Sequence, residues 1–251
     1  MLGLPDGITA LLFDLDGVLT RTAEVHAAAW KEMFDAVLAE HAGDSAVDSR
    51  PFDPKSDYHR YVDGKPRYDG VRDFLASRGL SPAEGSPEDG PEVETIRGLG
   101  NRKNVVVQQI IATKGVEAYE GSVRYLHAAR DAGLGIAVVS SSANAEAVLA
   151  AAGLSEFIAV RVDGKVAADE HIKGKPAPDM FWEAAKRLGA TPETSAVFED
   201  AISGVQSGAA GGFAIVVGVD RGGQPEALTA AGATIVIDDL ADLLASAPSA
   251  G

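Results

Sequence analysis

Two aspartates follow an apolar run near the start of the chain. Asp14 and Asp16 come directly after Ile8–Phe13, whose composition predicts a buried strand. Carboxylates two residues apart in extended backbone point the same way, and open α/β sheets bind ligands at the carboxyl ends of their strands. Such a pair can hold a divalent cation and leave one oxygen free to attack. A solvated acidic turn is the alternative, whereas an EF-hand calcium loop is excluded because Val18 occupies a ligand position.

A run of serines follows a later apolar segment. Ser140, Ser141 and Ser142 come after Gly135–Val139 and before a predicted helix. Their hydroxyl and backbone N–H groups, together with the dipole of that helix, favour an anion at this position. Taken alone, the serines would be interpreted as a helix N-cap.

A lysine and a second acidic pair complete the set. Lys175 lies in a rigid segment rich in Gly and Pro, a setting that suits a lysine neutralising a phosphoryl group as a point charge. Glu199 and Asp200 end the apolar run Ser195–Phe198. Four such signals, each at a predicted strand end or helix start, indicate phosphoryl chemistry. The sequence contains no Gly-x4-Gly-Lys-Ser/Thr motif, so ATP binding is not indicated.

The elements that must position these residues alternate between strand and helix. Apolar runs bounded by Gly or polar clusters predict buried strands at Ile8–Phe13, Gly135–Val139, Phe157–Val160, Ser195–Phe198, Phe213–Val219 and Thr234–Ile237. Segments of helical period lie between the later runs, at Ala143–Ala152, Pro178–Leu188 and Ile202–Ala210. This alternation predicts an α/β fold, a doubly wound and mainly parallel sheet covered on both faces.

The segment after the first strand has no comparable strand pattern, which predicts an inserted second domain. Its helical segments are Ala23–Glu40, Val71–Arg78 and Arg102–Thr113, with a Pro/Gly/acidic loop at Ser81–Pro91. We expect an α/β core formed by residues 1–22 and 113–251, and a small α-helical insert formed by residues 23–112. The tail Ala245–Gly251 is expected to be frayed.

Composition excludes several classes of partner and site. The 251 residues include 22 Lys+Arg and 37 Asp+Glu, a formal net charge of −15 that disfavours nucleic acid and anionic lipid. The absence of cysteine excludes disulfides, thiolate zinc sites and cysteine nucleophiles. The longest nearly apolar stretch, Ala209–Val219, is short of the roughly 20 residues that span a bilayer, and Arg21 comes too late for a secretory signal. We expect a cytoplasmic monomer with no membrane contact.

These motifs resemble those of the haloacid dehalogenase (HAD) superfamily of phosphotransferases, and within it the β-phosphoglucomutase group. The resemblance extends along the chain and rests on Phe13-Asp14-Leu15-Asp16-Gly17-Val18-Leu19-Thr20, on Thr22-Ala23-Glu24 with His26 and Trp30, on Gly174-Lys175-Pro176-Ala177-Pro178-Asp179, and on Glu199-Asp200 with Ser203-Gly204. It implies a HAD-like Rossmannoid core with an inserted α-helical cap, whose closure excludes water.

The resemblance implies distinct roles for the acidic residues. Asp14 is the nucleophile that forms an aspartyl-phosphate, and Asp16 is the general acid/base, with its side chain off the metal. One Mg²⁺ per active site is held by Asp14, the Asp16 carbonyl and Asp200, with Glu199 close by and acting partly through water. Ser140, Ser141 and Lys175 surround the transferring phosphoryl group and form the implied phosphate site.

The resemblance also implies residues that bind the rest of the substrate. Arg67 matches the cap arginine for the distal phosphate, with Arg72 as a fallback, and a turn residue in a charged loop is the alternative for Arg67. Lys103 matches a cap lysine that meets the sugar, and His26 a hinge histidine that links cap closure to Asp16. The remaining implied substrate contacts are Ser142, Asn144, Trp30 and Thr20.

Three departures from the group's pattern bear on the substrate. Arg21 stands at the cap hinge, where the group commonly carries an acidic residue, and Ser141 replaces a common alanine. The stretch Asp44–Asp69 is longer than expected and could admit another sugar phosphate. The implied function is a Mg²⁺-dependent mutase interconverting β-glucose 1-phosphate and glucose 6-phosphate through a sugar 1,6-bisphosphate. The alternatives are a phosphatase acting on a sugar or disaccharide phosphate and a catalytically silent phosphosugar-binding protein.

Overall fold

A computed structural model describes residues 2–245 of the chain. These residues form two compact units: unit 1 comprises the residues up to Arg21 and those from Val116 onward, and unit 2 comprises Thr22–Gly115. The sequence-based boundaries differ from these by one residue at the first crossing and by three at the second. The expectation of a frayed tail concerns Ala245–Gly251, and residues 246–251 lie outside the described part.

Unit 1 is built on a parallel sheet. Within the described residues the sheet has six strands in the order β3-β2-β1-β4-β5-β6, and every pairing is parallel. The strands are β1 (Ala10–Phe13), β2 (Gly135–Val139), β3 (Val160–Val162), β4 (Ser195–Glu199), β5 (Ile215–Val219) and β6 (Ile235–Ile237). This architecture confirms the predicted α/β fold class.

Helices connect the strands and make up most of unit 2. In unit 2 the described helices are α1 (Ala23–Glu40), α2 (Arg67–Ser77) and α3 (Ile96–Lys114), with a π-helical turn at Tyr58–Val62. In unit 1 they are α4 (Glu120–Asp131), α5 (Ala145–Ala151), α6 (Gly164–Asp169), α7 (Asp179–Arg187), α8 (Ile202–Ala210), α9 (Pro225–Ala231) and α10 (Ala241–Ala245).

The central strands β1, β2, β4 and β5 are almost entirely buried, and their successive side chains alternate between the two faces of the sheet. Leu12 packs in one cluster with Phe181 of α7 and Leu228 of α9. On the other face Phe13 stacks on Phe198 at 4.4 Å between ring centroids, and Tyr125 of α4 meets both rings edge-on. Helices on both faces explain why the strands are apolar runs rather than alternating patterns.

The strand register brings the candidate residues to one edge of the sheet. Phe13 of β1 pairs with Val138 of β2 on one side and with Phe198 of β4 on the other. The ladder continues one residue further, where the Asp14 N–H donates to the Phe198 carbonyl at 2.9 Å. The residues that follow β1, β2 and β4 therefore meet at the same edge.

Unit 2 has its own aromatic core. Phe34 of α1 lies 4.1 Å from Phe74 of α2 between ring centroids, 5.1 Å from Trp30 and 5.3 Å from Phe52. The long stretch Asp44–Asp69 is part of this unit's structure, since Phe52 is fully buried in the core. The buried Arg78 holds the same stretch through ion pairs with Asp48 and Asp57 at 2.9 and 2.6 Å.

Some predicted elements differ from the observed ones. The predicted strand Phe157–Val160 is wrong over its first three residues, because Phe157 ends a 3₁₀ turn (Ser155–Phe157) and the strand begins at Val160. Phe157 is buried against His127 instead, so its apolar character reflects packing and not strand pairing. Among the described residues, none of the helices is both long enough and apolar enough to cross a membrane.

Candidate active site

The candidate site lies where the direction of chain connection reverses. From β1 the chain continues to β2 on one side, and it returns later to β4 on the other side. Such a reversal leaves a crevice at the carboxyl ends of the strands, which is where open α/β sheets bind ligands. Asp14 follows β1 and Asp200 follows β4, so the two acidic pairs flank this crevice.

Lys175 joins the two acidic pairs. Its ammonium lies 2.5 Å from Asp14 Oδ1 and 2.5 Å from Glu199 Oε1, and it donates to the Val139 carbonyl at 2.9 Å. Burial lowers the pKa of Lys175, but the two carboxylates outweigh burial and raise it above its ordinary value. Lys175 is therefore a permanently charged cation at the centre of the cluster.

Asp14 is buried, with a relative exposure of 6%. Burial raises its pKa well above the ordinary value, the ammonium of Lys175 opposes that rise, and the carboxylates of Glu199 and Asp16 add to it. The single positive charge of Lys175 does not neutralise the negative charges of Asp14, Glu199 and Asp16. A further cation at the site would stabilise the ionised form that a nucleophile requires.

The acidic residues can hold a divalent metal ion. One oxygen each from Asp14, Glu199 and Asp200 can be chosen so that all three lie within 4.8 Å of one another. Carboxylate oxygens are the ligands that Mg²⁺ prefers. Among the described residues this group of three does not include the side chain of Asp16. The donor set therefore fits a hard divalent cation.

Two glycines make room for the acidic cluster. A Cβ on Gly17 would overlap Asp200 Oδ2, and a Cβ on Gly204 would overlap the carboxylate of Glu199. Gly17 also has φ +90°, a conformation that side-chain-bearing residues rarely adopt. Both glycines let backbone approach a carboxylate that other residues would displace.

Ser140 contacts Asp16 and the serine backbone. Its hydroxyl donates to Asp16 Oδ2 at 3.3 Å and accepts from the Ser142 N–H at 3.1 Å. The serines precede α5, which begins at Ala145 with Asn144 as its N-cap, so none of the three caps the helix. They form a loop instead, which Gly164 supports by donating its N–H to the Ser142 carbonyl.

Two other predicted substrate contacts of unit 1, Thr20 and Asn144, are buried. Thr20 is fully buried and its hydroxyl donates to the Leu15 carbonyl at 3.1 Å, which gives it a structural role in the loop after β1. Asn144 is 7% exposed, and its N–H donates to Ser142 Oγ at 3.2 Å. A role of Thr20 or Asn144 in substrate binding stays a prediction.

In unit 2, Arg67 belongs to a polar cluster. Its guanidinium donates to the Tyr68 hydroxyl at 3.0 Å and lies 4.8 Å from the centroid of the same ring. The Tyr68 hydroxyl donates in turn to Asn101 Oδ1 at 2.9 Å. Arg67 Nε is buried and makes no hydrogen bond within the described residues. Arg72, the second choice for the distal phosphate, forms ion pairs with Asp69 and Glu84.

A second cluster of unit 2 brings three predicted residues together. Lys103 Nζ lies 2.6 Å from His26 Nδ1 and 4.7 Å from the centroid of the Trp30 ring. All three side chains are buried. A neutral His26 accepts the hydrogen bond at Nδ1 and carries its proton on Nε2.

Sequence reasoning missed Arg221, which contacts the loop after β1. Arg221 Nε donates to the Gly17 carbonyl at 3.0 Å, and its guanidinium lies 3.7 Å from the centroid of the Tyr119 ring. A charged residue soon after the apolar run Phe213–Val219 was the available signal, and a signal of the same kind identified Asp200. Tyr68 and Asn101 were also missed, since their contact depends on tertiary structure.

Comparisons with known proteins agree with this geometry. The family described as haloacid dehalogenase-like hydrolase matches residues 8–212. The β-phosphoglucomutase of Mycobacterium bovis is 55% identical over 247 residues, covering 97% of this chain and 94% of that protein. The β-phosphoglucomutase of Bacillus subtilis is 32% identical over 236 residues, covering 93% of this chain and 91% of that protein.

A solved structure matches in the same way. The crystal structure of a β-phosphoglucomutase from Clostridium difficile superposes with a TM-score of 0.73 and 25% identity, covering 94% of this chain and 93% of that one. The match extends over both units and not the sheet alone. The chain is therefore a phosphotransferase of the haloacid dehalogenase superfamily and belongs to its β-phosphoglucomutase-like group.

Proposed function

We propose that this enzyme is a Mg²⁺-dependent phosphosugar mutase that interconverts β-glucose 1-phosphate and glucose 6-phosphate. An aspartyl-phosphate on Asp14 carries the phosphoryl group, and a sugar 1,6-bisphosphate is formed and consumed between the two half-reactions. The 55% identity to a β-phosphoglucomutase supports this substrate. A monomeric, cytoplasmic enzyme acting on a small phosphosugar completes the proposal.

The observation that carries the proposal is the buried contact between Asp14 and Lys175. The ammonium lies 2.5 Å from Asp14 Oδ1 and is fully buried. A carboxylate nucleophile must be ionised and directed at the phosphorus, and the phosphoryl oxygens must meet positive charge as the group moves. One lysine beside the nucleophile serves both requirements.

The first half-reaction forms the bisphosphate. The C6 hydroxyl of β-glucose 1-phosphate attacks the phosphorus of phosphorylated Asp14, and the bond between that phosphorus and the Asp14 oxygen breaks. Asp14 leaves as a carboxylate, while Asp16 accepts the hydroxyl proton. The Ser140 hydroxyl, 3.3 Å from Asp16 Oδ2, orients that general base.

The second half-reaction reverses the roles. Asp14 attacks the phosphorus of the C1 phosphate, and the bond between phosphorus and the C1 oxygen breaks. Asp16 returns its proton to that oxygen, which yields glucose 6-phosphate and phosphorylated Asp14. Lys175 and the Ser140–Ser141 segment offset the charge of the phosphoryl group during both transfers.

Magnesium is part of the proposal. Asp14, Glu199, Asp200 and the Asp16 carbonyl are the proposed ligands, and when bound the ion neutralises charge on the phosphoryl oxygens. Glu199 also pairs with Lys175 at 2.5 Å, which keeps its carboxylate in place.

A phosphatase acting on a sugar or disaccharide phosphate is the second candidate. The family that matches the chain is described as a hydrolase, and water can attack phosphorylated Asp14 with Asp16 as the base. The two candidates share every residue of the unit 1 site and differ only in the acceptor. Arg67, Lys103 and His26 favour the mutase, because a sugar acceptor needs ligands that water does not.

One dual assay separates the candidates. The enzyme is incubated with Mg²⁺, β-glucose 1-phosphate and a trace of glucose 1,6-bisphosphate, and glucose 6-phosphate and free phosphate are followed together. Asp14→Asn serves as the control for the nucleophile. We expect glucose 6-phosphate without matching phosphate release, and no turnover by Asp14→Asn.

Other results would contradict the proposal in different ways. Dominant release of free phosphate would make the enzyme a phosphatase, and turnover by Asp14→Asn would remove Asp14 as the nucleophile. If neither product forms while the enzyme hydrolyses p-nitrophenyl phosphate, β-glucose 1-phosphate is the wrong substrate. A panel of phosphorylated sugars, disaccharides included, then identifies the right one.

A further inference from the structure

Arg221 connects three separate segments of unit 1. Its Nε donates to the Gly17 carbonyl at 3.0 Å, and one terminal nitrogen donates to the Asp238 carbonyl at 2.6 Å. The face of its guanidinium lies 3.7 Å from the centroid of the Tyr119 ring. The side chain is 19% exposed. Arg221 is thus held by two carbonyls and an aromatic face, and one of the carbonyls belongs to the loop that carries Asp16.

The loop beneath Arg221 is itself fixed. Asp220 Oδ1 accepts the backbone N–H groups of Gly222, Gly223 and Gln224 at 3.2, 2.8 and 3.0 Å. The Asp220 N–H donates to the Ile237 carbonyl at 2.7 Å. The base of the Arg221 side chain is therefore anchored between β5 and β6, so the guanidinium approaches Gly17 from a rigid support.

Gly17 is the point in the catalytic loop that most needs such support. Its backbone has φ +90°, and Asp200 occupies the space where a Cβ would lie, so only glycine fits. Glycine also has the greatest freedom to leave that conformation. The Gly17 N–H is held by the Thr20 carbonyl at 2.8 Å, and its own carbonyl is held by Arg221.

Tyr119 ties the same arginine to the segment where the chain returns to unit 1. Its N–H donates to the Leu19 carbonyl at 3.0 Å, and the Arg21 N–H donates to the Glu117 carbonyl at 2.9 Å. Arg21 also lies over the Tyr119 ring at 4.5 Å. The loop from Asp16 to Arg21 is thus bonded to the returning segment next to the aromatic face on which Arg221 rests.

We propose that Arg221 is a positioning residue for Asp16: by holding the Gly17 carbonyl, it fixes the turn from which the Asp16 side chain extends toward the reacting oxygen. The role rests on the proposed function of Asp16 as the general acid. It predicts a selective defect, because an acid matters most when the leaving oxygen is a poor leaving group.

Leaving-group dependence tests this role. The second-order rate constant kcat/KM is measured with Mg²⁺ for p-nitrophenyl phosphate, whose leaving group needs no protonation, and for β-glycerol phosphate, whose alkoxide does. General acids contribute about 10²–10⁴-fold, so we expect Arg221→Ala to lose about tenfold more kcat/KM on β-glycerol phosphate than on p-nitrophenyl phosphate. Arg221→Lys, which can still donate to the Gly17 carbonyl, is expected to lie between Arg221→Ala and the unchanged enzyme.

Arg130→Ala is the matched control. Arg130 is also in unit 1 and also lies over an aromatic ring, at 5.1 Å from the centroid of Phe157, but its ion-pair partners are Asp131 and Glu156. We expect its ratio of the two rate constants to equal that of the unchanged enzyme. If Arg221 only stabilised the fold, Arg221→Ala would lower both rate constants by the same factor.

The outcomes separate this inference from the proposed function. Asp16→Ala is measured beside the arginine variants. If Asp16→Ala shows the selective loss and Arg221→Ala does not, Arg221 does not position Asp16. If Asp16→Ala loses both activities equally, the general-acid role of Asp16 is wrong and the inference is overturned with it. Should Arg221→Ala fail to fold, Arg221→Met decides, because methionine keeps most of the side-chain volume but cannot donate to the Gly17 carbonyl; an unchanged ratio in that variant would overturn the inference.

Discussion

At the scale of single residues, the site is dominated by one lysine among several carboxylates. Lys175 is 2% exposed and lies 2.5 Å from both Asp14 and Glu199. Burying ionised groups costs free energy unless each is paired. Lys175 therefore stabilises the folded protein only through its ion pairs with Asp14 and Glu199. Burial of these two carboxylates depends in turn on the charge of Lys175.

The pH dependence of stability tests this mutual dependence. The pKa of Lys175 is raised on folding, so its stabilising contribution is present through the acid and neutral range and is lost only as pH rises through its folded-state pKa in strong alkali. Lys175→Met leaves Asp14 and Glu199 buried without their cation. Removing one partner of a buried pair costs about 3–5 kcal/mol, and we expect that loss at pH 8 in EDTA.

The sign of the pH effect follows from the carboxylates. Without Lys175 the folded-state pKa of Asp14 lies above its unfolded value, because burial raises it and the opposing ammonium is gone. Stability then falls as pH rises, and the loss at pH 5 is smaller than at pH 8. Urea unfolding at pH 5 and at pH 8 measures the loss in the free energy of unfolding at each pH. Lys186→Met is the control, because Lys186 is exposed beside Glu183. A loss equal at both pH values, or no greater than that of Lys186→Met, would contradict the argument.

At the scale of elements, short strands position the candidate catalytic groups and an aromatic cluster forms the core of unit 2. β1 has only four residues, yet all four are buried and paired on both sides, so Asp14 at its end has little freedom. In unit 2, α1 presents Trp30, Phe34 and Val37 at helical spacing to the core. Tertiary packing of such a stripe supplies most of a helix's stability.

Truncating the central aromatic residue of unit 2 measures this packing. Phe34→Ala removes a fully buried ring that contacts Trp30, Phe52 and Phe74. Buried Phe→Ala changes cost about 3–5 kcal/mol, and we expect a loss of that size in urea unfolding followed by circular dichroism. Val105→Ala, at a 40% exposed position on α3, is the control and should change stability little. A Phe34→Ala loss as small as the control's would mean that this cluster does not support the unit.

At the scale of the whole molecule, the predicted chemistry draws on residues from both units. Unit 1 contains the proposed nucleophile, general acid/base and metal ligands, and unit 2 contains the predicted substrate contacts Arg67, His26 and Lys103. In the proposed mechanism, cleavage of a phosphate ester uses residues of unit 1 alone. Transfer between two positions of one sugar also needs groups that recognise the rest of the substrate.

Arg67 tests that requirement. Its guanidinium is held by Tyr68, and its Nε makes no hydrogen bond within the described part of the chain, so a donor is available for an anion. Loss of a charged hydrogen bond to substrate costs about 1.5–3 kcal/mol, and we expect Arg67→Ala to lower mutase kcat/KM by about 10- to 100-fold.

Hydrolysis of p-nitrophenyl phosphate, which lacks a distal phosphate, should change less than twofold in Arg67→Ala, an informal threshold well below the expected mutase loss. Arg60→Ala is the matched control, since Arg60 also belongs to unit 2 and lies over the Tyr61 ring. It should leave both activities unchanged. Equal losses of the two activities in Arg67→Ala would show that Arg67 does not bind the distal phosphate.

The sequence by itself determined the fold class of this protein and the edge of the sheet at which the candidate catalytic residues lie. Apolar runs of strand length, followed by Asp14, Ser140 and Glu199, were enough because parallel strands bring their carboxyl ends to one edge. Helix α1 was predicted with its observed bounds, since its apolar period is regular over 18 residues. Local pattern and local chain direction determine these features, and both can be read from neighbouring residues.

Only the tertiary structure decided which groups contact one another. Lys175 reaches Asp14 across 161 positions of sequence and Arg221 reaches Gly17 across 204, and no spacing rule predicts such pairs. The pairing of Lys103 with His26 likewise required α3 to pack beside α1. Such contacts arise from packing between elements, and packing depends on the shape of the whole core rather than on the residues that flank each group.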